Sequence, residues 1–193
     1  MGRLDNKVAL ITGGSRGQGA VESKLFAREG AKVVFGDILD EEGKQVEREI
    51  IEMGCEAVYV HLDVTSEEDW VKAIARTETK FGKLDILVNN AGVSIGKRGI
   101  EDTSVQDWDH IMDINVKGVF LGTKSVIPAM RRAGGGSIIN ISSTAGIVAI
   151  GRSAAYNATK GAVRVFSKAT AIQHAKDKIR SVSYTHLTLP TKA

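Results

Sequence analysis

Short apolar runs rich in β-branched residues alternate along the chain with longer helical stretches, and this alternation limits the possible fold more than any other feature. Because the runs are apolar throughout instead of alternating with polar residues, we expect strands that are buried on both faces. The order predicts right-handed crossovers and an α/β fold of one domain, with a doubly wound parallel sheet in three αβα layers. The strand-like runs lie at 7–12, 32–37, 57–63, 84–90 and 137–142, and the helix candidates at about 18–29, 41–53, 67–80, 104–131 and 153–175.

Turn and capping residues support these boundaries. Gly30 follows the first helix candidate, as expected of a C-terminal cap, and Thr65 or Ser66 is placed to cap the third. Pro128 lies late in the stretch 104–131, so we expect it to bend or end that helix.

Composition and charge exclude several classes of protein. With 42% hydrophobic and 25% charged residues, the chain has the balance of a soluble globular protein, and no apolar run approaches the ~20 residues of a membrane span. Residues 178–193 hold three basic side chains and no acidic one, which equals the net charge of +3 of the whole chain. Residues 1–177 are therefore balanced and offer no basic face for nucleic acid. The single cysteine, Cys55, and a start unlike a signal peptide predict a cytoplasmic protein. From the charge distribution and the lack of a long apolar run we expect no nucleic-acid or membrane partner.

A glycine-rich loop, TGGSRGQG (12–19), follows the first strand and opens the first helix. Gly13 lets the chain turn sharply, and Gly17 and Gly19 lack a Cβ, so backbone amides can approach a pyrophosphate at the positive end of the helix. Glycines in this pattern also occur in plain turns. The order of strand, loop and helix favours a dinucleotide-binding site.

Asp37 ends the second strand, about twenty residues after the loop. A carboxylate there accepts hydrogen bonds from both ribose hydroxyls of an adenosine and repels a 2′-phosphate, which favours NAD over NADP. A plain loop or capping aspartate is the alternative, and Arg16 in the glycine loop favours NADP. Since no basic residue follows Asp37 before Lys44, we expect NAD. Asp63, at the end of the third strand, is placed to bind the adenine amino group.

Tyr156 and Lys160 lie four residues apart in the last helix candidate and therefore share one helix face. A free phenol has a pKa of ~10 and is a poor base at neutral pH. A positive charge about 4 Å away contributes about 4 kcal/mol at an effective dielectric of 20, which lowers a phenol pKa by roughly three units. With a positively charged nicotinamide nearby as well, Tyr156 becomes a candidate general acid/base. A chance Tyr-x-x-x-Lys pair is the alternative.

Five motifs occur in the order and spacing of the short-chain dehydrogenase/reductase family: TGGSRGQG (12–19), LDV (62–64), NNAG (89–92), NISS (140–143) and YNATK (156–160). The chain resembles this family over residues 6 to about 180, and stretches such as HLDVTSEEDW are similar to its NAD-dependent hydroxysteroid and cyclic-alcohol dehydrogenases. The resemblance implies a Rossmann-like sheet and an oxidoreductase that transfers hydride between a nicotinamide cofactor and a secondary alcohol or ketone.

The resemblance also implies roles for individual residues. Ser143, thirteen residues before Tyr156, would bind the substrate oxygen; we choose it over Ser142 because strand neighbours point to opposite faces and because the spacing matches. Asn115 would distort its helix and bind a water that links Lys160 to solvent, and a plain surface position is the alternative. The predicted catalytic residues are Asn115, Ser143, Tyr156 and Lys160, and the predicted cofactor-binding residues are Gly13, Ser15, Arg16, Gly17, Gly19, Asp37, Asp63, Val64, Asn90, Gly92, Tyr156 and Lys160. The histidines and the cysteine show no ligand spacing, so we expect no metal.

The end of the chain departs from the family pattern after KIR (178–180). We expect a cofactor-binding domain over residues 1–178 that lacks the usual last strands, followed by an atypical tail over residues 179–193 in the manner of a truncated reading frame. The run 179–184 is placed to pair with the fifth strand as a replacement. Relatives in the family assemble through their long helices, so we expect a homo-oligomer formed through 104–131 and 153–175.

Two alternatives stay open. A non-catalytic or impaired NAD-binding module would suit the missing C-terminal region, and an NADPH-dependent ketoacyl-type reductase would require Asp37 to tolerate a 2′-phosphate. The substrate is not specified by the sequence. The candidate pocket residues are Ser94, Ile95, Ile147 and Ile150.

Overall fold

The structure is a computed structural model that describes residues 2–96, 99–149, 151 and 154–185. Strands and helices alternate in the order that the sequence predicts. Their bounds are β1 Val8–Thr12, α1 Gly17–Arg28, β2 Lys32–Asp37, α2 Asp40–Glu52, β3 Ala57–His61, α3 Glu67–Phe81, β4 Ile86–Asn89, α4 Val105–Met112, α5 Gly118–Arg132, β5 Gly136–Ile141, α6 Ala154–Gln173 and β6 Ile179–Tyr184. A π-helical segment, Asp113–Lys117, joins α4 to α5, and 3₁₀ turns lie at Thr144–Gly146 and Ala175–Asp177.

The six strands of the described residues form one parallel sheet in the order β3-β2-β1-β4-β5-β6. Leu10 of β1 lies between Val34 of β2 and Leu87 of β4, which fixes the register at the centre of the sheet. The chain runs outward from β1 in one direction and then from β4 in the other, so the order reverses between these two strands. In such sheets a cleft opens at the carboxyl ends of the strands where the order reverses. The predicted Rossmann-like fold is confirmed.

Two hydrophobic clusters cover the two faces of the sheet. Successive residues of a strand point to opposite faces, so Leu10 packs with Trp70 of α3 on one face while Ile11 packs with Ile50 of α2 on the other. All five residues of β1 are buried, as expected for a central strand covered on both sides. The layers are therefore helix, sheet and helix, as predicted.

The predicted helix caps are present, whereas the helix end expected near Pro128 is not. Ser66 caps α3 by accepting a hydrogen bond from Asp69 N at 3.2 Å, and Gly30 takes the left-handed conformation just after α1. The stretch predicted as a helix over 104–131 is helical from Val105 to Arg132, and the π-helical segment Asp113–Lys117 distorts it in the middle. Pro128 does not end α5, which continues to Arg132.

The run Ile179–Tyr184 forms β6 and pairs in parallel with β5, from Gly136 opposite Ile179 to Ile141 opposite Tyr184. Ile179 is 2% exposed and belongs to the core. The predicted pairing of this run with the fifth strand is confirmed, and the boundary expected after residue 178 falls directly before β6. No helix in the described ranges is long and apolar enough to cross a membrane.

Candidate active site

A cleft of about 680 Å³ lies at the carboxyl ends of the strands and reaches from the glycine loop to α6. One end holds Asp37 and Asp63, and the other holds Tyr156 and Lys160. The remaining lining residues are Gly13, Arg16, Gly17, Gln18, Gly19, Ile38, Leu39, Leu62, Val64, Asn90, Ala91, Gly92, Val93, Ser94, Ile114, Ile141 and Ser142. The cleft therefore contains most of the predicted cofactor-binding residues together with the predicted acid/base pair.

The glycine loop turns tightly between β1 and α1. Gly13 has a φ of 67°, a conformation that glycine adopts without strain. A Cβ on Gly19 would overlap the Gly13 carbonyl oxygen, so this position has room only for glycine. The first turn of α1 thereby faces the cleft through Gly17, with its unpaired amides and the positive end of the helix.

Thr12, at the end of β1, fixes this loop to the strand beside it. Its Oγ1 accepts hydrogen bonds from Asn90 N at 3.1 Å and Ala91 N at 3.0 Å. The Asn90 side chain returns a bond from Nδ2 to Thr12 O at 2.9 Å and lies 3.2 Å from Gly13 O. Asn90 therefore shapes the loop as well as lining the cleft. Sequence reasoning missed Thr12, although a hydroxyl at the end of a buried strand was a signal for it.

Asp37 lies in the cleft and also caps a turn. Its carboxylate lines the cleft, and it also caps the turn after β2, with Oδ2 accepting from Ser15 N at 3.1 Å and Oδ1 from Leu39 N at 3.2 Å. Ser15 is buried and donates its own hydroxyl to Leu39 O at 3.2 Å. Ser15 is therefore not among the lining residues; it holds Asp37 in place. Arg16 is exposed and lines the cleft.

Asp63 and Val64 lie where β3 leads into α3, next to Asp37 in the cleft. Asp63 Oδ1 accepts bonds from the backbone N and the hydroxyl of Thr65, both at 2.8 Å. The Val64 carbonyl accepts from the indole Nε1 of Trp70 at 3.0 Å, and Trp70 is fully buried. A buried tryptophan on α3 thus fixes the backbone at this end of the cleft.

Asn115 lies inside the π-helical segment and is 1% exposed, so the alternative of a surface position is wrong. Its side-chain amide forms two hydrogen bonds with the Val93 backbone, as a residue of a paired strand would. Oδ1 accepts from Val93 N at 2.8 Å, and Nδ2 donates to Val93 O at 2.9 Å. Nδ2 also lies 3.3 Å from the Thr159 hydroxyl of α6. The predicted helix distortion is present, and π-helical turns often accompany functional sites. Asn115 lies behind the cleft lining and joins three elements.

Tyr156 and Lys160 both line the cleft from α6, and Lys160 Nζ lies 5.5 Å from the centre of the Tyr156 ring. Lys160 is 6% exposed, and its Nζ donates to Ile141 O at 2.8 Å. Burial disfavours the charged amine and lowers the pKa of Lys160 to about 8. The side chain therefore stays mostly charged at neutral pH while its proton is easily exchanged. A Cβ on Gly92 would lie 3.2 Å from Asn115 Oδ1 and 3.7 Å from Lys160 Nζ, so a larger residue at this position would crowd both side chains.

The two serines after β5 make different contacts. Ser142 lines the cleft, but its hydroxyl donates to the Lys160 carbonyl at 2.9 Å. Ser143 is half-buried, precedes the turn Thr144–Gly146 and accepts a bond from Ala145 N at 3.1 Å. A hydroxyl has one hydrogen to donate. Ser142 donates its hydroxyl hydrogen to the backbone of α6. Ser143 only accepts a bond in its contact with Ala145, so its hydroxyl hydrogen can still be donated to another group. Ser143 itself is not among the lining residues.

Of the three candidate substrate-pocket residues that the structure describes, one lies in the cleft. Ser94 lines the cleft, and its Oγ accepts from Gly96 N at 3.3 Å. Ile95 is not among the lining residues, Ile147 is 49% exposed, and Ile150 lies outside the described residues. Within the described ranges, no group of three or more His, Cys, Asp or Glu side chains is placed to hold a metal ion.

The family model described as short chain dehydrogenase matches residues 7–187. The chain belongs to the short-chain dehydrogenase family. The 3-alpha-(or 20-beta)-hydroxysteroid dehydrogenase of Mycobacterium tuberculosis is 50% identical over 180 residues, which are 93% of this chain and 67% of that protein. The cyclopentanol dehydrogenase of Comamonas testosteroni is 47% identical over 93% of this chain and 72% of its own length. The trans-4-hydroxycyclohexanecarboxylate dehydrogenase of Sinomonas cyclohexanicum is 42% identical over 92% and 70%. This member of the family is an NAD(P)-dependent oxidoreductase.

The chemistry of the cleft fits a nicotinamide dinucleotide. Its glycine cradle has no room for a side chain at Gly19 and opens on the amides of α1, which suit a pyrophosphate. Asp37 offers a carboxylate to ribose hydroxyls at one end, and Lys160 offers an amine at the other.

Proposed function

We propose that this protein is an NAD-dependent dehydrogenase that interconverts a secondary alcohol on a cyclic carbon frame and the corresponding ketone. One observation carries the proposal: Tyr156 and Lys160 face the same cleft that begins at the glycine loop and contains Asp37. The names of the relatives, which refer to a hydroxysteroid, cyclopentanol and a hydroxycyclohexane acid, support a cyclic alcohol as the substrate class.

The cofactor would be held along the whole cleft. The glycine loop and the first turn of α1 suit the pyrophosphate, Asp37 suits the adenosine ribose, and Asp63 with Val64 suits the adenine. Asn90 and Gly92 line the middle of the cleft, where glycine leaves the cofactor room to pack closely, and Lys160 suits the nicotinamide ribose. When bound, the nicotinamide supplies the carbon that accepts or gives the hydride.

Tyr156 acts as the general base in alcohol oxidation, because its phenol faces the cleft within reach of a positive charge. It takes the hydroxyl proton of the substrate and returns it in ketone reduction. Lys160, whose pKa burial lowers to about 8, lies beside Tyr156 and passes the proton on. Ser143 donates its hydroxyl hydrogen to the substrate oxygen.

Asn115 serves as a positioning residue in this scheme. Both ends of its amide hold the Val93 backbone, and Nδ2 also reaches Thr159, one residue before Lys160. Its role in binding a water that links Lys160 to solvent stays a prediction.

The deciding experiment measures NADH or NADPH formation by absorbance with cyclopentanol, cyclohexanol and a 3-hydroxysteroid. We expect turnover with NAD⁺ and a kcat/KM at least about tenfold lower with NADP⁺, since a 2′-phosphate would meet the Asp37 carboxylate. A preference for NADP⁺ would favour the ketoacyl-type reductase, which the exposed Arg16 at the cleft would suit. Cofactor binding without any turnover would favour the non-catalytic module.

We also infer a homo-oligomer through α4, α5 and α6. These helices carry exposed apolar side chains. The rings of Phe120 in α5 and Phe166 in α6 meet edge to face, with their centres 6.4 Å apart, so the two helices form one surface. Val165 is 66% and Ile172 80% exposed on the same helix as Phe166. Val165→Glu should lower the particle mass measured by light scattering, and an unchanged mass would argue against this interface.

A further inference from the structure

The turn between β2 and α2 forms the wall of the adenosine end of the cleft. Asp37, Ile38 and Leu39 all line the cleft, and Asp40 begins α2 directly after them. The direction of the Asp37 carboxylate therefore depends on how firmly this turn is held.

Tyr59, on the neighbouring strand β3, bridges the two ends of the turn with one hydroxyl. Its oxygen lies 2.7 Å from Asp37 O and 2.7 Å from Asp40 Oδ1, so the two acceptors share its single hydrogen. The Asp37 carbonyl also accepts from Leu62 N at 3.0 Å. Burial and the nearby Asp40 raise the pKa of Tyr59, which keeps the hydroxyl a donor across the physiological range.

The ring of Tyr59 has little freedom to move. It packs against Gly43 of α2 so closely that a Cβ there would overlap it, and its centre lies 5.7 Å from that of Phe35. Its backbone N donates to Glu47 Oε1 of α2 at 3.0 Å. The hydroxyl is consequently aimed at the turn by contacts on both sides.

His61 supports the same arrangement from the edge of β3. Its Nδ1 lies 2.8 Å from Asp40 Oδ1, and this contact raises the pKa of the exposed imidazole. Asp40 therefore receives two partners from one strand, Tyr59 and His61.

We propose that Tyr59 is a positioning residue that fixes the turn 37–40 and thereby sets both the affinity for NAD and the preference for NAD over NADP. The inference deepens the proposed function and depends on it. Without the hydroxyl, the Asp37 carbonyl loses one partner and the carboxylate spends less time directed at the ribose. Binding of NADH should then weaken, while NADPH, which gains nothing from that carboxylate, should be little affected.

The experiment is a fluorescence titration of the full chain with NADH and with NADPH, using Tyr59→Phe, which keeps the ring. Tyr184→Phe is the matched control, because Tyr184 lies on β6, half exposed and outside the cleft lining. We expect the Kd for NADH to rise about three- to tenfold in Tyr59→Phe, with at most about a twofold change for NADPH. The kcat at saturating NAD⁺ should stay within about twofold, because only cofactor binding is altered.

Asp40→Asn offers a second test that leaves the ring and its hydroxyl in place. It should raise the Kd for NADH by a smaller factor than Tyr59→Phe, since the Asp37 contact remains. An unchanged Kd for NADH in Tyr59→Phe, or an equal weakening of NADH and NADPH, overturns the inference alone. Failure of the wild-type protein to bind NADH overturns the proposed function and the inference together.

Discussion

The polar side chains at the two ends of the cleft differ in their burial and in what holds them. At the adenosine end, Asp37 and Asp63 are only half-buried. Each carboxylate accepts a hydrogen bond from a backbone amide two residues further on, and Asp37 Oδ2 also accepts one from Ser15 N, 22 residues away. At the catalytic end, Asn115 and Lys160 are 1% and 6% exposed, and their partners lie 22 and 19 residues away.

A buried polar network underlies the catalytic end. Asn89 Nδ2 donates to Asn140 Oδ1 at 2.8 Å, and Asn140 Nδ2 donates to Ser167 Oγ at 2.8 Å. The chain of bonds links β4 and β5 to α6, the helix that carries Tyr156 and Lys160. A buried polar group left without a partner is costly. Changes at the adenosine end should therefore alter cofactor binding, whereas changes below the catalytic end should also alter stability.

The largest effect is expected from Tyr156→Phe at the catalytic end. Loss of the phenolic oxygen removes proton transfer, so turnover should fall about 10²- to 10⁴-fold while the Kd for NADH stays within about threefold. Steady-state rates and fluorescence titration measure the two quantities. Turnover near the wild-type rate would remove Tyr156 from the mechanism, and Tyr184→Phe serves as the control.

Two buried polar residues, Asn140 and Ser23, should differ in how much they stabilise the fold. Asn140→Ala breaks the network and leaves Asn89 and Ser167 short of a partner, which should lower the free energy of unfolding by about 2–3 kcal/mol. Ser23→Ala in α1 removes only a bond to the Gly19 carbonyl one turn back and should cost less than about 1 kcal/mol. Urea unfolding measures both free energies. Equal losses in the two variants would show that the network at Asn140 stabilises the fold no more than the single bond of Ser23.

Asp37→Ser tests the adenosine end. The serine keeps a hydrogen-bond acceptor near Ser15 N and removes the charge, so the ratio of kcat/KM for NAD⁺ over NADP⁺ should fall about 10- to 30-fold. The free energy of unfolding should change by less than about 1 kcal/mol, because the site is half-exposed. If the ratio of kcat/KM for NAD⁺ over NADP⁺ does not change, Asp37 only caps the turn and does not select the cofactor. Asp102→Asn, on an exposed loop, is the control.

The smallest effect concerns pH. Burial lowers the pKa of Lys160 from 10.5 to about 8, so between these values the unfolded chain binds more protons than the folded protein. Stability from this group must therefore rise with pH in that window. Relative to Lys160→Met, the wild-type protein should gain about 1 kcal/mol in free energy of unfolding from about pH 7 to about pH 9. If the free energies of unfolding of the wild-type protein and of Lys160→Met change equally with pH in urea unfolding, Lys160 is exposed to solvent and its pKa is not lowered.

The order of strands and helices, the parallel sheet and the position of the glycine loop can all be predicted from the amino-acid sequence. These features follow from local patterns, since an apolar run, a capping residue or a helix-face spacing acts over a few residues. The same is true of the Tyr156–Lys160 pair, which shares a face by helix geometry alone.

The tertiary structure was needed for the features that depend on partners far away in the chain. It placed a π-helical segment at Asn115 within the predicted helix 104–131, where the Asn115 side chain bonds the Val93 backbone. It joined Thr12 to Asn90, and it directed the Tyr59 hydroxyl at the turn after β2. A buried polar group needs a partner wherever the fold brings one near, and the spacing of residues along the chain does not contain that information.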